Sequence, residues 1–131
     1  MQAIELILLD ENINDDKANI LAKYLGISHS SFRSRLTEAW KFVREMAREF
    51  AHSRGSFVIK SHSEAVYASC FIMDANTPTA KILVDIKIFG MARENGFGIE
   101  LVKTKQSNSL YDRFLTSFEK LQRAAKEVNI D

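Results

Sequence analysis

Two helices joined by a tight turn are what the apolar pattern predicts for residues 22–40. Gly26 lies between two apolar residues, and without a side chain it can adopt the positive φ that ends a helix. Ser28 follows, and its hydroxyl can accept a hydrogen bond from a free backbone N–H of the next helix. Phe32 and Leu36 are four residues apart, so they share the buried face of that second helix.

The neighbouring residues extend both helices. Asn14 is placed to cap the first helix, which we expect to end near Leu25. The second helix is predicted over about residues 29–51, and residues 52–56 are the predicted linker after it. The short apolar run at residues 2–9 suits either a buried helix or a strand, because periodicity does not decide in so short a run.

After the linker the pattern changes from helical to alternating. Residues 56–60 fit a short strand, and residues 64–73 are apolar on both faces, which predicts a central strand covered on both sides. Residues 81–92 alternate, and their inward-pointing row is Ile82, Val84, Ile86 and Ile88. Ser109 and Asp112 have capping-box spacing, so a last helix should begin there and cover this row.

Asn95-Gly96 is the strongest short hairpin signal in the chain. A two-residue turn there would place Phe97, Ile99 and Leu101 on the same face as the isoleucine row. The pairs predicted by that register are Glu94 with Phe97, Ala92 with Ile99, and Gly90 with Leu101.

The turn region resembles the helix-turn-helix of bacterial sigma-factor C-terminal regions and of response-regulator effector domains. Those families carry Ala-x-x-Leu-Gly-Ile-Ser, three residues, an apolar residue, and then Lys/Arg-Ser-Arg-Leu. The matching residues here are Ala22, Leu25-Gly26-Ile27-Ser28, Phe32 and Arg33-Ser34-Arg35-Leu36. Phe32 departs from the Val, Ile or Leu usual in those families. The resemblance covers about residues 15–48 and implies that residues 2–9 form a helix packed behind the turn.

The pattern and the resemblance together predict an α+β fold. Three N-terminal helices would precede an antiparallel meander of three to four strands, covered by a C-terminal helix. Residues 1–54 would form a helix-turn-helix domain, and residues 55–131 a dimerisation or regulatory domain. The chain has no signal peptide and no apolar run long enough to span a bilayer, so we expect a soluble, cytoplasmic protein with no membrane partner.

Charge limits the ways in which this chain could bind DNA. Lys and Arg number 18 and Asp and Glu number 17, so any phosphate contact must come from a local patch. No acid lies between Asp16 and Glu38, and the basic residues of the second helix share one stripe.

The sequence offers little catalytic or metal-binding chemistry. None of the three histidines has a His or Cys partner at metal-ligand spacing, so neither a metal nor a cofactor is expected. Cys70 lies in an apolar strand, where an inert buried thiol is expected rather than a nucleophile. No residue set indicates a reaction, and we expect a protein that is not an enzyme.

Two functional hypotheses follow. The first is a small sequence-specific transcriptional regulator, dimeric, that reads double-stranded DNA with the helix starting near His29. Arg33 would contact a guanine edge. The other predicted DNA-binding residues either occupy positions that face DNA in the resembling families or would contact phosphate. They are Lys17, Ser28, His29, Ser30, Ser34, Thr37, Lys41 and Arg44.

The second hypothesis is a protein-binding module, an inhibitor or adaptor, that works through residues 55–131. The near-zero net charge and the large hairpin favour it, because a hairpin can pair edge to edge with a partner. A winged helix with the Asn95-Gly96 tip on DNA is a further variant of the first hypothesis, although the hairpin is oversized for a wing.

Overall fold

Two consecutive helices follow the first strand, and a third helix follows the next four strands, in the computed structural model, which describes residues 3–52, 55–66, 68–91 and 93–129. The elements are β1 (Ala3–Leu9), α1 (Asp15–Leu25), α2 (His29–Phe50), β2 (Ser56–His62), β3 (Ala68–Met73), β4 (Lys81–Ile86), a 3₁₀ turn (Arg93–Asn95), β5 (Phe97–Val102), α3 (Leu110–Ala124) and β6 (Lys126–Glu127). The strands form two sheets, in the orders β1-β2-β6 and β3-β4-β5.

In the first sheet, the two parallel strands β1 and β2 come directly before and after the helical hairpin in the chain. β1 and β2 pair over all seven positions, from Ala3 opposite Ser56 to Leu9 opposite His62. The backbone N–H of Asp10 extends the ladder by donating to the carbonyl of His62 at 2.8 Å. β6 adds a short antiparallel edge on the other side of β2, so this sheet spans the predicted domain boundary at residues 54 and 55.

The predicted architecture of three helices before a meander is therefore wrong. The run at residues 2–9 was the expected first helix, and the structure has strand β1 there, with α1 and α2 inside a β-α-α-β unit. A seven-residue strand gains its hydrogen bonds from a partner about fifty residues later in the chain, and local periodicity carries no trace of such pairing.

The turn between α1 and α2 has the predicted local chemistry. Asn14 caps α1 by accepting from the backbone N–H of Lys17 at 2.9 Å, and Ser28 caps α2 by accepting from that of Ser31 at 3.1 Å. Gly26 ends α1 with a φ of +68°. Ala18, Leu21, Ala22, Phe32 and Ile13 are buried together at the centre of this hairpin.

The long helix α2 packs its apolar face on the first sheet. Trp40, Val43 and Ala47 form one buried cluster with Ile59 of β2. The indole N–H of Trp40 donates to the carbonyl of Leu9 at 2.7 Å, which satisfies the one polar group that this large side chain buries.

The second sheet is an antiparallel meander with one covered face. Ile82 and Val84 of β4 are buried against Tyr111 of α3, and Ile99 and Leu101 of β5 join the same cluster. A capping box between Ser109 and Asp112 starts α3, as their spacing predicts. The predicted shared face of the isoleucine row and β5 is present, because Ile82 lies opposite Leu101, Val84 opposite Ile99 and Ile86 opposite Phe97.

Two details of this sheet differ from the prediction. The two-residue Asn95-Gly96 turn is wrong, because β4 ends at Ile86 and residues 87–96 connect it to β5. The predicted Gly90–Leu101 and Glu94–Phe97 pairs are absent, and the Ala92–Ile99 pair involves residue 92, outside the described residues.

The connection leaves the ladder because it packs against the helical hairpin. The N–H of Gly90 donates to the carbonyl of Tyr24 at 2.7 Å, and the Tyr24 hydroxyl donates to the carbonyl of Lys87 at 2.9 Å. The rings of Tyr24 and Phe89 meet edge to face at 5.6 Å. These contacts hold the chain after Ile86 away from β5.

The prediction of a covered central strand at residues 64–73 is also wrong. β3 covers only Ala68–Met73 and lies at the edge of the sheet, where β4 is its one partner among the described residues. Cys70 and Ile72 face the buried cluster under α3, while Phe71 and Met73 point to the opposite, exposed face. Apolar residues on both faces of this strand therefore do not mean that both faces are covered within the chain.

Candidate functional site

The residues predicted to contact DNA divide into an exposed group and a group held by the chain itself. Ser28, Ser30, Ser34, Thr37 and Lys41 are exposed along α2 and at its cap. Lys17, His29, Arg33 and Arg44 are only partly exposed, and each lies against residues outside α2. The helix does not, therefore, present the continuous cationic ridge expected from its sequence.

Arg33 is bound to the loop that leads into α1. Its guanidinium donates to the carbonyl of Glu11 at 3.3 Å, to the carbonyl of Ile13, and to Asp15 Oδ1 at 2.9 Å. A guanine edge would need the same fork of N–H groups, so the expected bidentate contact between Arg33 and a base does not fit this conformation.

Arg44 and Lys17 are also engaged within the chain. Arg44 forms an ion pair with Glu11, and its guanidinium lies 5.2 Å from the centre of the Trp40 ring. The ammonium of Lys17 donates to the carbonyl of Ser63. These two cations fix loops on the first sheet rather than standing free for phosphate.

Asp15 collects the charges around the start of α2. The hydrogen bond from Arg33 is the largest cause that holds the pKa of Asp15 below its usual 3.8. Burial is the second-largest effect and opposes it, and the charges of Arg33 and His29 lower the pKa further. His29 Nε2 lies 3.2 Å from Asp15 Oδ1, within ion-pair distance but without a hydrogen bond.

The charges that α2 does expose are balanced. Its exposed ionisable residues are Arg35, Lys41, Arg48, Glu38, Glu45 and Glu49, three cations and three carboxylates. A helix face with mixed signs is typical of a solvated surface, and it gives phosphate little net attraction.

A different surface has no cover within the described chain: the face of the β3-β4-β5 sheet opposite α3. Its cross-strand rows, from one end of the sheet to the other, are Met73-Lys81-Val102, Phe71-Leu83-Glu100 and Ser69-Asp85-Gly98. We call this nine-residue surface the outer sheet face.

Large apolar side chains on the outer sheet face are open to solvent. Phe71 is 63% exposed, Val102 50%, Met73 42% and Leu83 40%. Lys81 and Glu100 lie between them and form an ion pair at 3.4 Å, with each side chain about half exposed. Gly98 leaves a gap beside Phe71 and Leu83, so the face is not flat.

Sequence reasoning missed the outer sheet face, although one signal pointed to it. The apolar residues on both faces of residues 68–73 were assigned to cover from within the chain. Leu83 stood among polar neighbours in the alternating pattern and received no role. The sequence of the strand alone does not show which of its two apolar faces α3 covers.

The described residues bring no three His, Cys, Asp or Glu side chains into a metal-binding arrangement. Cys70 is half-buried on the inner face of the sheet, and burial raises the pKa of its thiol, which keeps it protonated. No helix within the described ranges is both long and apolar enough to cross a membrane. Comparison with protein-family models, with curated proteins and with solved structures gives no match.

Proposed function

We propose that this chain is a protein-interaction module whose working surface is the outer sheet face, and that the partner seated there is a second copy of the chain. The observation that carries the proposal is the exposure of Phe71, Met73, Leu83 and Val102 on one face. A contiguous group of exposed apolar side chains is typical of a protein-binding site.

The charge order along β4 favours a second copy as the partner. Lys81 stands at one end of the exposed row, Leu83 in the middle and Asp85 at the other end. Consider a two-fold axis that lies in the interface, crosses the strands at right angles and passes over Leu83. This axis places Lys81 opposite Asp85 of the second copy, and Asp85 opposite its Lys81.

The outer strands fit the same axis by size. On β5, Val102 would lie over Gly98 of the second copy, where a missing side chain leaves room. On β3, Met73 would lie over the small Ser69, and Phe71 would meet its own equivalent. Glu100 would meet its own equivalent too, and the ion pair with Lys81 offsets part of that repulsion.

The size of the face sets the expected affinity. Three strands of six residues cover about 14 by 20 Å at the usual strand spacing and rise. That footprint is about 280 Å² on each copy, below the standard size of specific interfaces, so we expect a weak, reversible dimer with a dissociation constant in the micromolar range or above.

Charge reversal tests the proposed pairing. In sedimentation equilibrium, Lys81→Asp and Asp85→Lys should each weaken dimerisation at least tenfold, because each places like charges opposite one another twice. The double variant Lys81→Asp/Asp85→Lys should recover it. Lys41→Asp, the same charge change on α2, is the matched control and should leave the dimer intact.

The outcomes that contradict the proposal are equally clear. A wild-type chain that stays monomeric at high concentration, or a dimer that ignores both reversals, would show that the outer sheet face does not bind a second copy. Asp85→Lys is the more informative single variant, because Lys81→Asp also breaks the pair with Glu100 inside one chain.

DNA binding is the second candidate, favoured by the exposed Ser30, Ser34, Thr37 and Lys41 next to a capped helix start. It is tested by fluorescence anisotropy with mixed-sequence duplexes. Affinity that falls steeply with salt, and that Lys41→Ala weakens, would support phosphate contacts. No binding at low salt would leave the protein-interaction module as the sole proposal.

A further inference from the structure

A cleft separates the helical hairpin from the second sheet and encloses about 420 Å³. One wall is largely apolar, built from β1, α1 and α2, and includes Leu9, Leu21, Leu25, Phe32 and Leu36. The volume is within the range of small-molecule sites, which combine an apolar wall with a few polar groups at fixed positions.

Cationic and hydrogen-bonding groups stand around this apolar wall. Arg35 from α2, Ser69 from β3 and Lys87 after β4 all line the cleft. Arg35 is exposed and makes no hydrogen bond or ion pair with any other described residue. The ammonium of Lys87 lies 3.3 Å from the hydroxyl of Ser69, which is at the long end of hydrogen bonding.

His62 and Glu64 complete the polar lining. The Nδ1 atom of His62 accepts from the backbone N–H of Glu64 at 3.2 Å, so the neutral ring carries its proton on Nε2 as a further donor. Burial is the main cause that lowers the pKa of His62. Two cations and one carboxylate therefore line the cleft, with a surplus of donors over acceptors.

Contacts of Tyr24 and Gly26, at the end of α1, hold the two walls of the cleft together: the helical hairpin and the connection between β4 and β5. The Tyr24 hydroxyl binds the carbonyl of Lys87, and the N–H of Gly90 binds the carbonyl of Tyr24. A Cβ built on Gly26 would come within 2.5 Å of the carbonyl oxygen of Gly90, so the hairpin and the β4–β5 connection touch backbone to backbone. Lys87 is thus fixed relative to α1.

A second cavity adjoins the first and extends its apolar space. It encloses about 390 Å³ and shares Glu64, Val66 and Leu121 with the cleft. Its other lining residues include Phe114 and Phe118 of α3. An elongated apolar group could therefore continue past Leu121 toward α3.

We propose that the cleft binds a small amphipathic carboxylate, with its apolar body against the α1–α2 wall and its carboxylate between Arg35 and Lys87. A carboxylate fits the planar fork of an arginine through two parallel hydrogen bonds, and a neutral alcohol cannot form that pair. The apolar wall supplies burial of the hydrocarbon, and the cations select the charged head. This site shares only Ser69 with the outer sheet face.

The test compares one hydrocarbon with two head groups. Decanoate below its micelle-forming concentration and decanol below its solubility limit are each titrated into the full chain by calorimetry. Decanoate should bind at least tenfold more tightly than decanol. Arg35→Ala and Lys87→Gln should each weaken decanoate severalfold and leave decanol unchanged, because only the charged head meets these groups.

Two further variants separate the site from general surface effects. Ala39→Trp places a large side chain on the cleft wall and should block both ligands. Lys41→Ala removes a cation from the outward face of α2 and should change neither. Circular dichroism and thermal melting establish that each variant is folded.

Three results would overturn the proposal. Equal affinity for decanoate and decanol would mean that the cations do not recognise the head group. Equal losses in Arg35→Ala and Lys41→Ala would mean that binding is diffuse electrostatic attraction. Absence of decanoate binding at millimolar concentration would mean that the cleft does not hold this class of ligand.

Discussion

The exposed face of α2 and the outer sheet face differ in the kind of side chain that they expose to solvent. On α2 the exposed charges cancel, and Arg33 and Arg44 already bind the loop between β1 and α1. On the sheet, four large apolar side chains are open to water and only one ion pair lies among them. A solvated charged face is stable alone, whereas exposed apolar surface gains free energy when it is covered.

The comparison shows why a stripe of basic residues is an uncertain sign of a DNA-binding surface. A stripe on a helical wheel shows only to which side of the helix the cations point. Contacts with the neighbouring loop determine whether those cations are available to bind phosphate. Here residues 10–15 fold back along α2 and supply two carbonyl groups and two carboxylates to its arginines.

The largest expected effect concerns the buried face of α2. Trp40 is 2% exposed and Phe42, two residues later, is 64% exposed. Trp40→Ala should lower the free energy of unfolding by about 3–5 kcal/mol, because it leaves a cavity and removes the hydrogen bond to Leu9. Phe42→Ala should stay within about 0.5 kcal/mol. Urea unfolding measures both, and similar losses would mean that α2 does not pack on the first sheet as described.

The next effect tests the backbone contact between the hairpin and the β4–β5 connection. Gly26→Ala places a Cβ 2.5 Å from the Gly90 carbonyl and strains a φ of +68°. Gly90→Ala strains a φ of +72° but meets nothing within 4 Å. The strain alone is about 1–2 kcal/mol, so Gly26→Ala should cost clearly more than Gly90→Ala in urea unfolding. Equal costs would place the connection away from the turn.

Local chemistry made the helix starts and the turn predictable. Asn14, Ser28 and Ser109 cap helices through atoms a few residues away, and such short-range geometry can be read from sequence. β1 could not be recognised in the same way, because its partner strand begins at Ser56. The predicted Asn95-Gly96 turn is absent because the tertiary contact between Gly90 and Tyr24 outweighs the local preference of this dipeptide for a hairpin turn.

The candidate site was less predictable than the fold. The basic residues of α2 were visible in the sequence, and so were Glu11 and Asp15, but the loop that brings these opposite charges together was not. The exposed row of β4 was equally visible as Lys81, Leu83 and Asp85. Its meaning depends on which face α3 covers, and that is a tertiary property.

Arg33 gives a moderate effect that separates the structural role from the DNA-reading role. Arg33→Ala removes the hydrogen-bond donor to two backbone carbonyls and to Asp15, so the free energy of unfolding should fall by about 1–3 kcal/mol. Lys41→Ala, on the exposed side of α2, should change stability by less than about 0.5 kcal/mol. If Arg33→Ala instead kept full stability and lost affinity for one DNA sequence, the side chain would be a base reader.

The smallest expected effect is a pH dependence at His62, the last residue of β2. Burial lowers the pKa of His62 below its usual 6.5, while Glu64 opposes the shift and Lys17 adds to it. The folded chain therefore binds fewer protons than the unfolded chain, and stability should decrease as pH falls through about 6.5. His62→Asn should flatten this part of the curve of urea midpoint against pH. An unchanged slope in that variant would assign the dependence to another group.

Mixing the two single charge-reversal variants tests the central claim most directly. Lys81→Asp carries acids at both ends of the exposed β4 row, and Asp85→Lys carries cations at both ends. At a concentration near the wild-type dissociation constant, each variant alone should sediment mostly as a monomer, and an equimolar mixture should form a heterodimer with near wild-type affinity. A mixture that stays monomeric, while the wild-type chain dimerises, would contradict the two-fold pairing of the outer sheet face.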